Sequence, residues 1–435
     1  MNLSKRFITS LLTIGLGASL VLSGCGSTGG NSEAPGTNGS SGNTAKDGGS
    51  LTLWMFNTDD YLKPVAEEIA EEMNIKLNYE FINPETYKTK IKVAISANEL
   101  PDVFAQYAGK SERESVLNAK MAAPLNDTLQ STGLENSFND GMLIKEEDGN
   151  IYSLPYRPDQ SYLLAYNKKL MSELGVKAPT TWEELMNIIK AANDKGIAPI
   201  ALGGKDRWPG EIIYNMLVLR EDKDAYTKAQ NGEMSFADKP FVDAADKLIE
   251  LVKANAFQSG FLGNSDLEAR ELFYGGKALM IINGSWIFSK AIPALGDDLG
   301  YVKFPKTGAE ADPFSSNMGE KSTAPYGLYV NAKSKQLELS KEFAVRYSLK
   351  VNESLAKLGQ ATYAQTEVKP EGVVNEAYAQ YLKDYSEYSY IQTFWGNTIP
   401  AAVNEENRDL NQKLYTGSLP SSEFVQMMDK IMKQQ

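Results

Sequence analysis

The stretch LTLWMFNTDDYLKPVAEEIAEEMNIKLNYEFI, Leu51 to Ile82, changes its apolar period twice. Leu51 to Phe56 has strand character. Leu62, Val65, Ile69 and Met73 then return at intervals that place them on one face of a helix. IKLNYEFI, from Ile75, reads as a strand again. A helix-like segment from Tyr87 to Asn98 leads to LPDVFAQY, Leu100 to Tyr107, a strand entered through a proline. This βαβαβ rhythm predicts a parallel or mixed sheet with helices on both faces, an α/β fold.

The rhythm resumes near Tyr152 with YSLPY and SYLLAYNKKLM. Thr181-Trp182-Glu183-Glu184 has the spacing of a capping box, in which a Thr hydroxyl and a Glu carboxylate satisfy each other's exposed amides, and it opens a helix burying Leu185, Ile188, Ile189 and Ala192. GIAPIAL, Gly196 to Leu202, is the next strand. Val242, Ala245, Leu248, Ile249 and Val252 mark another helix, and Ser265 with Glu268 a second capping box. Gly275-Gly276 stops that helix before the strand KALMIIN. No repeat of solenoid period is visible.

At 435 residues the chain is long enough for two domains. Its 44 basic and 56 acidic residues give a net charge of −12, which argues against a nucleic-acid partner. There is no histidine, so the usual general base, the usual metal ligand and any His-containing triad are absent. One cysteine allows neither an internal disulfide nor a thiolate metal cluster. No metal and no cofactor are expected.

That cysteine, Cys25, follows a basic Lys5-Arg6 pair, a largely apolar run from Phe7 to Ser23, and Leu22-Ser23-Gly24. Residues 1–24 therefore read as a signal peptide. The sequence up to Cys25 resembles the lipobox of bacterial lipoproteins, whose cysteine is acylated and becomes the first residue. An ordinary signal peptide with an unmodified cysteine is the alternative. Two acyl chains suit stable anchoring, since one holds only marginally. Residues 26–50 hold 8 Gly and 5 Ser and almost nothing apolar, so they cannot offset their ordering entropy. With the lipobox resemblance, residues 25–50 are expected to form a lipidated, flexible tether with a root-mean-square span of about 25 to 30 Å. Losing Lys5 and Arg6 leaves the mature chain still more acidic.

With histidine and thiol chemistry gone, the loops after the strands carry the interest, because ligands of open α/β sheets sit beyond the carboxyl ends of strands. Asn57, Asp59 and Asp60 follow the first strand, and Gln106 and Tyr107 follow the third. Lys205-Asp206-Arg207-Trp208 follows GIAPIAL, and Gly284-Ser285-Trp286 follows KALMIIN. A pyranose packs its C–H face on an aromatic ring while its hydroxyls need Asp, Asn, Gln or Arg at the rim, so this set suits a sugar. Asp59 or Asp60 has a second reading, as the cap of the helix containing Pro64. Trp54 and Trp182 read as packing, Trp208 as functional. Tyr378, Tyr381, Tyr385, Tyr388 and Tyr390 precede Phe394-Trp395; most of them suit a packing surface equally well, and Trp395 beside Gly396 is the candidate contact.

GKALMIINGSW (Gly276 to Trp286), YNKKLMSELGVKAPTTWEELMNIIKAA (Tyr166 to Ala192), GIAPIALGGKDRWPG and LPDVF resemble the extracellular sugar-binding proteins of bacterial ABC importers, the maltose-binding-protein-like group. The resemblance covers essentially everything after the tether. It implies a two-lobe periplasmic-binding-protein-like fold with a hinge, the first lobe at 51–153 plus 303–350 and the second at 154–302 plus 351–435. It implies capture of a sugar or oligosaccharide by closure and delivery to ABC permease subunits, by a monomer lipid-anchored on the extracellular face of the membrane, without catalysis. By the same resemblance Asn57 to Asp60, Gln106 and Tyr107 are first-lobe contacts, Trp286 and Trp395 second-lobe stacking aromatics, and Asp206 with Trp208 an additional contact loop. The NTDD and KDRW loops vary within the family, so the particular sugar does not transfer. A uronate, polyamine or peptide ligand is the nearest alternative and a secreted glycosidase, with its carboxylate pair, a more distant one.

Overall fold

The computed structural model describes residues 49–56, 59–107, 110–158, 160–310, 312, 314–320 and 326–433. The expected signal peptide, Cys25, most of the tether, and Asn57 lie outside the described residues.

Two mixed sheets organise the chain. The first contains β1 (Ser50–Phe56), β2 (Lys76–Ile82), β3 (Val103–Tyr107) and β4 (Ser153–Pro155). The second takes β5 (Gln160–Asn167), β6 (Ala198–Ala201), β7 (Ala278–Gly284), β8 (Leu299–Val302) and β9 (Ser316–Glu320), before the chain returns to the first sheet as β10 (Tyr326–Val330). β11 (Tyr390–Thr393) joins the second. The orders are β2-β1-β3-β10-β4 and β11-β9-β5-β7-β6, with β8 also on β5.

In the first sheet β1 runs parallel to β2 and β3, with Leu53 between Tyr79 and Val103, as the βαβαβ reading requires. β10 closes it antiparallel to both β3 and β4. Leu51, Leu53 and Met55 on alternate positions of β1 are buried, and Val65, Ile69 and Ile91 cover them from the helices Leu62–Glu72 and Pro84–Ala97. Tyr87 pins the second of these helices to the sheet, its hydroxyl donating to the Ala105 carbonyl at 2.6 Å. The long helix Leu337–Lys357 packs on the same core, where Tyr347 donates to the Leu62 carbonyl at 3.0 Å. Tyr363 and Ala364 belong to that core as well.

The second sheet pairs β5 antiparallel with β7, and β6 parallel with β7. β7 is buried along its whole length, since helices cover both faces. Both capping boxes form: Thr181 accepts from the Glu184 amide at the start of Trp182–Asp194, and Ser265 from the Glu268 amide at the start of Asp266–Tyr274. Gly276, at φ 66°, carries the turn into β7, a conformation open to glycine.

Candidate functional site

Loops at the carboxyl ends of β1 and β7 meet across a cleft of about 200 Å3. Asp59, Asn139, Asp140, Arg157 and Gln160 supply polar groups to its lining, and Trp286 and Tyr381 supply aromatic rings. Arg157 comes from the segment joining β4 in the first sheet to β5 in the second.

Asp59 is buried, and its carboxylate accepts a hydrogen bond from the Arg157 guanidinium. The Asp59 side chain does not cap the following helix; only its backbone carbonyl accepts from Leu62, at 3.3 Å. Arg157 also lies over the Tyr326 ring, 4.9 Å from its centroid. Burial works against its charge, but Asp59 and the neighbouring tyrosines outweigh that and hold its pKa above the usual value. Arg157 carries no local sequence signal, because its partner is 98 residues away. Asp60 is exposed, and its carboxylate lies 3.5 Å from Lys290, on the helix Phe288–Leu295 beside the second sheet.

Gln106 is buried and turned onto its own strand end, its Oε1 accepting from the Tyr107 amide at 2.9 Å. Tyr107 is half-buried against Phe56 and Tyr326 at 4.6 and 5.0 Å. Neither belongs to the cleft lining around Asp59.

On the other side, Trp286 follows β7 directly and is half-buried. Gly284 allows this, because a Cβ there would overlap the indole. Tyr162 packs edge-on to Trp286 at 5.7 Å, and Trp208 packs against it at 5.9 Å. The structure therefore brings Trp208 and Trp286 together. Asp206 has structural work, its carboxylate accepting from the Asp266 amide at 2.7 Å at the start of a helix. Asp266 in turn accepts from Asn283 at 2.7 Å and pairs with Arg270 at 2.9 Å.

Trp395 departs from expectation. It is 1 % exposed, stacks on Tyr226 at 4.9 Å and meets Phe236 at 5.2 Å inside the second core. The neighbouring Gly396 packs against Glu211 and Asn404 rather than opening onto solvent. As placed, Trp395 has no ring face to offer a ligand. Tyr378 and Tyr381, from the same cluster, do line the cleft edge while packing on Phe288 at 4.9 and 5.3 Å. Trp182 donates to Glu250 at 2.9 Å, and Trp54 is half-buried under Lys90, consistent with packing roles for both.

Among the described residues no cluster of three or more Cys, Asp or Glu has metal-binding arrangement.

Comparison with known proteins agrees with this architecture. The Multiple sugar-binding protein of Streptococcus mutans is 25% identical over 316 residues, covering 68% of this chain and 70% of that protein. The diacetylchitobiose binding protein DasA of Streptomyces coelicolor is 28% identical over 309 residues, 68% of each. A structure solved in work on xylan utilization by the thermophilic bacterium Caldanaerobius polysaccharolyticus superposes with a TM-score of 0.78 at 27% identity, over 88% of this chain and 99% of that one. A chitin oligosaccharide binding protein, at 23% identity and a TM-score of 0.75 over 88% and 98% of the two chains, shares the fold. The sequence profile of the bacterial extracellular solute-binding proteins matches residues 57–345, and the chain belongs to that family.

Proposed function

We propose that this protein captures a neutral sugar or oligosaccharide outside the cell and delivers it to an ABC permease, binding without turnover. The observation that carries the reading is the cleft lining: the Trp286 indole, supported by Trp208 at 5.9 Å, shares the cleft with the polar side chains of Asp59, Asn139, Gln160 and Ser285. An aromatic face for the C–H side of a ring and planar polar groups for its hydroxyls are what a pyranose needs. The sugar-binding relatives in Streptococcus mutans and Streptomyces coelicolor support the same class.

The charge of the lining favours a neutral ligand. Its ionisable acids and bases are Asp59, Asp140 and Arg157, and the Arg157 charge is already neutralised by Asp59. A uronate would face Asp140 with no uncommitted cation. A polyamine is the second reading, because Asp140 and the rings of Tyr61, Tyr378, Tyr381 and Tyr385 border the same space.

The cleft's volume of about 200 Å3 is below the usual range for small-molecule sites, about 300 to 1,000 Å3. A ligand of two rings enters only if the two sheets separate and then close on it, as a hinge between lobes allows. The expected lobes, 51–153 plus 303–350 and 154–302 plus 351–435, shift in this reading: 303–320 goes to the second lobe, because β9 joins the second sheet and Phe304 its core, and 351–364 to the first, because Val351, Leu355 and Tyr363 pack in the first core. Ligand contacts on both lobes select the closed form, which the permease receives. Asp59 and Trp286 make the principal contacts within the cleft, with Trp208 packed against Trp286; Asp60, Gln106 and Tyr107, outside the lining, meet a ligand only as the sheets separate. An affinity near micromolar, about −8 kcal/mol, reconciles capture with release. Cys25 carries the lipid that holds the protein, as a monomer, at the outer face of the membrane.

A thermal-shift screen of neutral oligosaccharides, uronates and polyamines tests the reading. A ligand at 100 times its dissociation constant stabilises the protein by about 2.7 kcal/mol. Stabilisation by neutral oligosaccharides alone supports it, and stabilisation by polyamines alone replaces it.

A further inference from the structure

Arg207, which immediately precedes Trp208, sits at φ 63° and ψ −42°. That lies outside the left-handed helical region and close to the tight γ-turn conformation, which is rare and strained for a residue with a Cβ. Of the described non-glycine residues at positive φ, Asn74, Asn98 and Asn255 are of a type that tolerates it; Lys120 and Arg207 are not. Backbone strain of this kind persists only where surrounding contacts over-determine it.

Those contacts come from one helix far along the chain. The Arg207 guanidinium donates to Glu405 and to Asp409, each at 2.6 Å. Gln412 donates to the Gly204 carbonyl at 2.7 Å, and the Arg207 amide donates to the same carbonyl at 3.1 Å. Glu405, Asp409 and Gln412 belong to the helix Ala401–Tyr415, and their spacing of four and three puts them on one face. Further along that helix, Tyr415 donates to the Gly210 carbonyl at 2.9 Å. The whole segment from Gly204 to Gly210 is gripped from that helix, and Trp208 is the residue it presents towards Trp286.

We propose that Arg207 is a positioning residue for ligand binding: anchored between Glu405 and Asp409, it holds the strained turn that sets the Trp208 indole against Trp286 and so fixes the stacking wall that Trp286 offers the ligand. This rests on the sugar-binding reading of that wall. The side chain of Arg207 does not itself touch the ligand. Its task is to keep a backbone conformation that alanine would leave and that glycine accepts, because glycine also occupies the mirror image of the common inverse γ-turn.

The test uses the whole protein and the neutral oligosaccharide that stabilises the wild type most in the thermal-shift screen, titrated calorimetrically, with tryptophan emission of the free protein as a second readout. Arg207→Ala is expected to weaken binding about tenfold and to red-shift the emission as Trp208 leaves Trp286. Arg207→Gly is expected to recover most of that affinity although it removes the same guanidinium. In the Arg207→Ala background, Trp208→Ala should add little further loss. Wild-type affinity in Arg207→Ala, or equal losses in Arg207→Ala and Arg207→Gly, overturns the positioning role while leaving the stacking wall intact. Wild-type affinity in both Trp208→Ala and Trp286→Ala instead removes the wall, and the positioning role with it.

Discussion

Arg157 and Asp59 are bonded to each other although both are almost fully buried and neither belongs to a strand. Asp59 comes from the loop after β1, Arg157 from the segment that leaves the first sheet for the second. The pair thus fixes a cleft carboxylate at the point where the chain changes sheets. Removing one partner strands a charge in low dielectric, which costs far more than the pair gains by forming. Asp59→Asn should therefore lower the unfolding free energy by about 3 kcal/mol or more in urea titrations. Asp60→Asn, at an exposed position with Lys290 3.5 Å away, should change it by less than about 1 kcal/mol. Equal effects of the two would show that the buried pair is not carrying charge.

Trp286 and Trp395 separate function from packing. Trp286→Ala should weaken oligosaccharide binding by about tenfold or more, equivalent to about 1.4 kcal/mol, with little change in Tm. Trp395→Ala empties the space beside Tyr226 and Phe236 and should cost about 3 to 5 kcal/mol of stability. Calorimetric binding together with chemical unfolding of both variants would settle the assignment. A stable Trp395→Ala protein with lost affinity would return that indole to the site.

Glu211 supplies a pH signature. It is wholly buried on the helix Trp208–Glu221, and burial pushes its carboxyl up to about 7 against the pull of Arg408 and Asn407, at 3.1 and 2.8 Å. Unfolded, the group titrates near 4.5. Between the two values the folded protein binds the extra proton, so this contribution to stability is full below pH about 4.5 and is lost as pH rises through about 7. The loss is on the order of 3 kcal/mol. Glu211→Gln should flatten that part of the stability profile when urea midpoints are compared at pH 5 and 8. An unchanged slope would mean the carboxyl is ionised throughout.

The capping box at Thr181 has a local cost. Thr181→Ala removes the acceptor for the Glu184 amide and should destabilise the protein by about 1 kcal/mol. Ligand affinity should not move, because the helix Trp182–Asp194 lies away from the cleft lining. A change in affinity would show that this helix reports on the site.

What was legible in the sequence was local. The strand alternation of Leu51 to Phe56, the helical face of Leu62, Val65 and Ile69, and both capping boxes depend on residues within one or two turns of each other, and each formed as read. The place of Trp286, beyond the carboxyl end of a strand, was legible because it follows KALMIIN directly. Trp395 was expected at the ligand for its place beside Gly396, while the Tyr226 and Phe236 rings that enclose it come from about 160 residues earlier and left no local sign. Arg157 with Asp59, and Arg207 with Glu405 and Asp409, escaped notice for the same reason: pairings across 98 and about 200 residues leave no periodic mark. Asp206 looked like a rim group but caps a helix that begins 60 residues later.

The most direct test is a calorimetric titration of the wild-type protein and of Trp286→Ala with neutral oligosaccharides of two to five rings. Saturable binding near micromolar by the wild type, weakened about tenfold in the variant and accompanied by no release of reducing ends, is the expected result. Heat and saturation with a polyamine or uronate but with no neutral glycan, or equal affinity in the two proteins, would contradict capture of a sugar against that indole.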